Sequence, residues 1–208
     1  MLDVVEPGVQ TLVQDQGRNG YFAIGLPPSG PMDYFSHHVA NALVGNDPAA
    51  AALETVFIGP TLHFHRDTVV AVTGAEVGLR LDGVAMPSWT TLPVRAGQVL
   101  TVGPAHKGLR SYIAVRGGVG TPVVMGSRST YLPSAIGGFV GRELRADDVL
   151  PCANQYRPID RDEYDAVRAD VENTTYRYRR IPVEFGLAAF FDDPLTYNRS
   201  LLGELSHA

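Results

Sequence analysis

Arg18, Ser29 and Asp33 fall within one glycine- and proline-rich stretch that runs from Gly17 to Gly45. Arg18 sits in a Gly-Arg-Asn-Gly turn, Ser29 in a Pro27-Pro28-Ser29-Gly30-Pro31 loop, and Asp33 where a helix should begin. The adjacent prolines fix their own φ and keep the residue before them extended, so the loop is stiff, while Gly30 is free to turn left-handed. A rigid polar loop delivered to a helix N-terminus suits an anionic ligand. A second run, Gly126-Ser127-Arg128-Ser129-Thr130, supplies hydroxyls, a guanidinium fork and a glycine, which suits a carboxylate or ureido group. Plainer readings stand beside these. Asp33 fits an N-cap that accepts from free helix N–H groups. Arg18 and Arg128 fit structural hydrogen bonds to loop carbonyls, and Tyr21 fits a core side chain.

Other constellations carry less chemistry. His63, His65 and Asp67 alternate, so a strand would place them on one face, but no fourth ligand is suggested. They read as a solvated strand face, and no metal is expected. His37 and His38 are helix neighbours and should point different ways. Ser29 lies in Pro-Ser-Gly, not in a nucleophile elbow. Cys152 follows a proline, and nothing nearby argues for a lowered thiol pKa. Gly117-Gly118-Val119-Gly120 lacks the strand-to-helix dinucleotide pattern, and there is no P-loop.

The elements that must position these residues follow from composition and pattern. At 208 residues and 45% hydrophobic, the chain can bury a core and suits one domain with an appendage. A net charge of -5 without a basic stripe argues against nucleic acid, and no stretch suits a signal peptide or membrane span. A single cysteine rules out an intrachain disulfide and fits a reducing cytoplasm. Residues 1–156 hold 20 of the 22 glycines, whereas 17 charged residues crowd into 157–208. That shift sets a boundary near residues 154–158, giving a turn-rich segment over 1–155 and a charged helical tail over 156–208.

Within the first segment Thr11 to Gln14 reads as a strand. A helix follows Asp33, with Phe35, Val39 and Leu43 as its buried stripe and Gly45 as its stop. Asp47-Pro48 should start a short helix over Ala49 to Leu53. Strands are expected at Thr55 to Ile58, Thr61 to His65, Thr68 to Thr73, Leu92 to Arg95, Val99 to Val102 and Leu109 to Val115. Asp82-Gly83 marks a tight hairpin between Val77–Leu81 and Val84–Met86. In the tail, helices are expected after Pro158 and Asp193, with Tyr176 to Arg179 as a strand. The fold class is mainly β with a few helices, a barrel or sandwich.

Several motifs in order carry a family resemblance. They are Gly17-Arg18 with Gly20-Tyr21, Pro27-Pro28-Ser29-Gly30 with Met32-Asp33, and Ala40-Asn41 with Leu43-Val44-Gly45-Asn46. Ala52-Leu53-Glu54, Gly59-Pro60-Thr61-Leu62, Val72-Thr73-Gly74-Ala75, Ala114-Val115-Arg116-Gly117-Gly118, Gly126 to Tyr131, Gly137-Gly138 and Gly141-Arg142 continue the series. Over about residues 1 to 151 the chain resembles one carboxyltransferase half of urea amidolyases and urea carboxylases. It equally resembles the separate subunit of bacterial ATP-dependent 5-oxoprolinase that is also called allophanate hydrolase subunit 2.

The resemblance implies a cyclophilin-like β-barrel, and the expected chain is an incomplete one. Its tail resembles the closing piece of the other carboxyltransferase half, with the middle missing. The implied activity is carboxyl transfer from carboxybiotin to a urea-like nitrogen, with Asp33 and Arg18 catalytic and Ser29, Tyr21, Ser127 and Arg128 substrate-binding. Lys107, the one lysine, lies in His-Lys-Gly, so carboxybiotin must come from a partner carrier, and ATP is used by a partner subunit. The implied partners are a second carboxyltransferase half or a subunit 1-type protein and a biotin carboxylase. The substrate is urea-like or a lactam. Hydrolysis of 5-oxoproline and a non-catalytic regulatory or relic binding module are the alternatives. No serine-lysine amidase motif supports allophanate hydrolysis itself. The chain is expected to be inactive alone and to form an oligomer.

Overall fold

The computed structural model describes residues 1–152. Nine strands form one sheet: β1 (Leu2–Glu6), β2 (Gln10–Gln14), β3 (Ala52–Val56), β4 (Thr61–Phe64), β5 (Thr68–Leu81), β6 (Val84–Met86), β7 (Thr91–Val94), β8 (Val99–Val115) and β9 (Val149–Leu150). The single α-helix of these residues, α1, spans Tyr34–Leu43.

β5 and β8 are the spine. They run antiparallel from Val70 opposite Val115 to Leu81 opposite Leu100. The other edge of β8 is shared: β4 pairs with Val99 to Thr101, and β3 with Arg110 to Ile113. β2 then lies beyond β3, while β1 and β9 lie beyond β4. Alternating apolar residues point to one side, as the strand period of two requires. Leu2 and Val4, Leu62 and Phe64, Val70 and Val72, Leu100 and Val102, and Ile113 and Val115 all join one buried cluster. A sheet whose inward faces share a core must curl, and this mainly β fold is a half-barrel.

The Asp82-Gly83 turn takes the form expected of it, with φ of 50° and 79° and β6 returning along β5. Other expectations need correction. The strands expected at Val99 to Val102 and Leu109 to Val115 are not separated by a loop at Pro104 to Gly108, because β8 runs through both as one strand of 17 residues. Bulges between Gly74 and Leu79 of β5 absorb the irregular stretch, and proline is tolerated at such positions. A side chain at Gly74, where φ is 88°, would run into the backbone carbonyl of Arg110. The helix expected over Ala49 to Leu53 is only a turn, in which Asp47 accepts from Ala49 N–H at 2.7 Å. Ala52 already belongs to β3, which ends at Val56 rather than Ile58. On α1 the buried face is Ser36, His37, Val39, Ala40, Asn41 and Leu43, and Phe35 is only half-buried. Small and polar residues let the helix lie close on β5 and β8, a signal that an apolar stripe does not give.

Among the described residues no helix is long and apolar enough to cross a membrane. The charged tail from residue 156, with its expected helices and strand, lies outside them.

Candidate functional site

The loop from Gly17 to Asp33 is held at three points. The first is Arg18, which is 1% exposed. Its backbone N–H donates to Pro28 O at 2.7 Å, closing the loop base. Its Nη1 donates to Ser29 Oγ at 3.3 Å and its Nη2 to the carbonyl of Ser129, while Nε is buried without a partner. Gly137 completes this cage, since a side chain there would strike Ser129 O and the guanidinium. Burial works against the charge of Arg18, and nearby Asp15 opposes that effect.

Asp15 is the second point. Its Oδ1 accepts from Gly17 N–H at 2.9 Å, Ser127 Oγ at 2.5 Å and Ser129 Oγ at 2.7 Å, and its Oδ2 from Arg128 N–H at 2.5 Å. Burial alone would raise the carboxyl pKa, but the bonds from Ser127, Arg128, Ser129 and Gly17 together hold it below the usual range. Asp15 therefore joins the first loop to the Gly126–Thr130 run.

Glu54 of β3 is the third point and is 4% exposed. Its Oε2 accepts from Met32 N–H at 2.7 Å and from the Tyr112 hydroxyl at 2.8 Å. Arg110 Nη1 donates to its Oε1 at 2.7 Å. The Tyr112 oxygen in turn accepts from Asp33 N–H at 2.7 Å. Burial first, and the Glu54 carboxylate second, push the Tyr112 hydroxyl far above its ordinary pKa, so it remains a donor. Two strands of the spine region thus fix the last residues before α1.

Asp33 caps that helix. Its Oδ1 accepts from Ser36 N–H at 3.0 Å and its Oδ2 from Ser36 Oγ at 2.5 Å, yet the residue is exposed. Ser29 is half-buried in the left-handed region at φ 60°, where a serine is strained. Tyr21 is also half-buried, and its carbonyl accepts from Ile24 and Leu26. Ser127 is buried on Asp15, and Arg128 Nε donates to the carbonyl of Thr121 at 2.7 Å. The six residues singled out from sequence thus divide by access. Asp33, Ser29 and Tyr21 reach the loop surface, Arg128 is half-buried, and Arg18 and Ser127 lie inside. Phe22, Ile24 and Met32, each about 71% exposed, add apolar surface to the same loop.

Asp15, Glu54 and Tyr112 are not among the residues that the sequence points to as a site, and Ser129 enters only as part of the Gly126–Thr130 run. Asp15 had a signal, a carboxylate followed two residues later by glycine at a strand end, which suits an Asx turn. Glu54 had another, a lone acid within the apolar run Ala52 to Val56. Tyr112 had none, because a tyrosine in a buried strand looks like core.

His37 and His38 do diverge. Buried His37 lies 3.1 Å from Gln14 O through Nε2, and burial pushes its pKa down to about 4. His38 faces Gln16 instead. Cys152 is half-buried, and burial raises its thiol pKa. The His63–His65 pair faces Asp3 rather than Asp67, whose carboxylate accepts from Ala96 N–H. A separate groove of about 500 Å³ lies between the Thr121–Val124 and Ala135–Gly141 segments. Its lining is largely apolar, with Phe139, Val140 and Pro151 among its walls, which suits a ureido or carboxylate ligand less well than the clasped loop.

The chain resembles known proteins over most of its described residues. Residues 24–193 match the family described as carboxyltransferase domain, subdomain A and B. The chain is 42% identical over 150 residues to urea amidolyase of Saccharomyces cerevisiae, covering 72% of this chain and 8% of that protein. It is 43% identical over 157 residues to a 5-oxoprolinase subunit of Escherichia coli, covering 76% of this chain and 51% of that one. The crystal structure of Kluyveromyces lactis urea carboxylase superposes with a TM-score of 0.71 at 44% identity, covering 72% of this chain and 13% of that chain. The chain therefore spans about half of the 5-oxoprolinase relative and a small part of the larger enzymes.

Proposed function

Because the chain belongs to the carboxyltransferase domain family, subdomain A and B, we propose that it is a component of a biotin-dependent carboxyltransferase of urea carboxylase type. The supporting observation is that the loop carrying Ser29 and Asp33 is clasped from below by buried Arg18 and Glu54 and half-buried Asp15, which is how a reaction surface is preorganised. In carboxyl transfer the bond from the carboxyl carbon to biotin nitrogen breaks as a bond to the acceptor nitrogen forms. The acceptor gives up a proton, which ends on the biotin ureido group. Asp33 would hold the acceptor N–H, and Ser29 would donate to the developing oxyanion. Tyr21 would form a wall of the substrate site. Arg18 acts through Ser29 as a positioning residue. Ser127 and Arg128 hold the neighbouring run to Asp15 and Thr121.

Carboxybiotin would arrive as a substrate on a partner's carrier, meeting the apolar Phe22, Ile24 and Met32. ATP would be used by the partner carboxylase, and all of this would take place in the cytoplasm. A second reading is the corresponding component of ATP-dependent 5-oxoprolinase. It is favoured by the 51% of the 5-oxoprolinase relative that the chain covers, the fuller match of the two. The test is to combine the chain with a complete partner half, biotin carboxylase and carrier, or with the partner subunits of a 5-oxoprolinase. Urea-dependent ATP turnover supports the first reading and 5-oxoproline-dependent turnover the second. Turnover with neither substrate would sink both and leave a non-catalytic binding module.

A further inference from the structure

We propose that Asp3, His63 and His65 form a binding site for a first-row divalent cation of the zinc class on the outer face of the β1–β4 pair. The register places them there. Leu2 and Val4 of β1 and Leu62 and Phe64 of β4 point into the core, so the residues that alternate with them point out. Asp3 stands directly opposite His63, and His65 follows β4 on the same face. Their ligand atoms all lie within 4.8 Å of one another. Asp3 Oδ2 is 2.6 Å from His65 Nε2 and 3.6 Å from His63 Nδ1, and the two imidazoles are 5.0 Å apart at 77°.

Two imidazoles and a carboxylate are the donors that zinc, nickel and copper favour. A tetrahedral zinc about 2.0–2.2 Å from each ligand separates the ligand atoms by roughly 3.3 Å. The Asp3–His63 spacing already meets that, and the Asp3–His65 contact must open by less than about 1 Å. Side chains that are 30% to 40% exposed can make such an adjustment. Asp3 Oδ1 is shielded and has no hydrogen-bond partner, so the carboxylate is under-satisfied by protein groups. A cation at Oδ2 would offset that charge. Three protein ligands leave a position open to water or a small ligand. The site is carried by β1 and β4, whereas the clasped loop is held by β3, β8 and the residues after β2. Its direct effect is to staple β1 to β4.

The competing arrangement is a carboxylate that only hydrogen-bonds two histidines. Titration of the untagged full chain with Zn2+, followed by calorimetry and by melting temperature, separates the two. The proposal expects one saturable equivalent, a higher melting temperature with Zn2+, and a tetrahedral visible spectrum with Co2+. Asp3→Asn, His63→Gln and His65→Gln should each weaken binding about tenfold or more, because each removes one of three ligands. Cys152→Ser should leave binding unchanged. Circular dichroism checks that each variant folds, and His65, beyond the end of β4, is the one least able to disturb the sheet. Absence of saturable binding, or equal binding in all three ligand variants, would overturn the proposal. So would loss of binding in Cys152→Ser alone.

Discussion

Asp33 meets Ser36 twice, through the backbone N–H and through the hydroxyl, and still faces solvent. The two parts assigned to it can be separated by substitution. Asn caps a helix nearly as well as Asp, so Asp33→Asn should change stability by only a few tenths of a kcal/mol, whereas Asp33→Ala should cost about 1 kcal/mol. If Asp33 also orients the acceptor N–H, Asn should keep the fold and cut turnover of the reconstituted complex at least tenfold. Full activity of Asp33→Asn would remove it from the reaction surface. Both of its carboxylate oxygens already accept from Ser36, which leaves orientation as its sharper role. His37 gives a second residue-scale prediction. Its folded pKa of about 4 lies below the ordinary value of 6.5, mainly through burial. Above pH 6.5 the ring is neutral in both states and its contribution to stability is complete. As pH falls from there toward 4, the unfolded chain takes up the proton first and stability is lost, by about 3 kcal/mol in all. Burial lowers the pKa of His38 too, so it adds to the loss of stability below pH 6.5. Urea unfolding between pH 7 and pH 4 should show this slope, and His37→Gln should flatten it.

At the scale of elements, the approach to α1 is set by β3 and β8, through Glu54 and Tyr112. Glu54→Gln leaves one oxygen for three donors and turns an amide N–H toward another donor. It should cost about 2–3 kcal/mol, and Tyr112→Phe about 1–2 kcal/mol by orphaning the N–H of Asp33. Equilibrium unfolding measures both, and the loss should exceed that of Asp33→Asn although neither side chain touches the ligand face. This geometry also explains what could be read from the chain. The Asp33 cap and the Asp82-Gly83 hairpin rest on contacts between sequence neighbours, and the strands from Thr61 and Thr68 show in their own β-branched, alternating residues, so local pattern is enough to find them. The continuity of β8 through Pro104 rests on bulges in β5, and turn-type residues at a bulge look the same as those in a loop. The burial of Ser36 and His37 on α1 is matched by partners far along the chain, as when the Thr73 hydroxyl donates to Ser36 O at 2.6 Å and His37 Nε2 lies 3.1 Å from Gln14 O. The motif residues Arg18, Ser29 and Ser127 could be named from sequence. Their sorting into inner supports and outer contacts could not, because only Asp15 and Ser129, brought from opposite ends of the described chain, decide which way each one faces.

For the molecule as a whole, the polar groups at the clasped loop are mostly turned inward. Arg18 and Ser127 are enclosed, Asp15 and Glu54 have their carboxylate oxygens engaged by the fold, and Ser29 and Asp33 remain, with exposed Asn19 and half-buried Tyr21, as the outward polar side chains of the loop. Two hydroxyl and carboxylate groups on one face can orient a substrate, but they cannot also enclose it and exclude water. The opposing wall has to come from elsewhere, and exposed Phe22, Ile24 and Met32 are the kind of surface a partner covers. The 5-oxoprolinase relative, about half spanned by this chain, is by its name one subunit among others. We therefore expect the purified chain to show no turnover of urea or 5-oxoproline by itself, and to gain it only with a complete partner half. Light scattering should show a dimer, or a complex once the partner is added. Replacing Phe22 and Ile24 by serine should weaken that complex without lowering the melting temperature, since both side chains already face solvent. Biotin-dependent turnover of urea by the chain alone would overturn this, and so would a monomer at high concentration that the partner leaves unchanged.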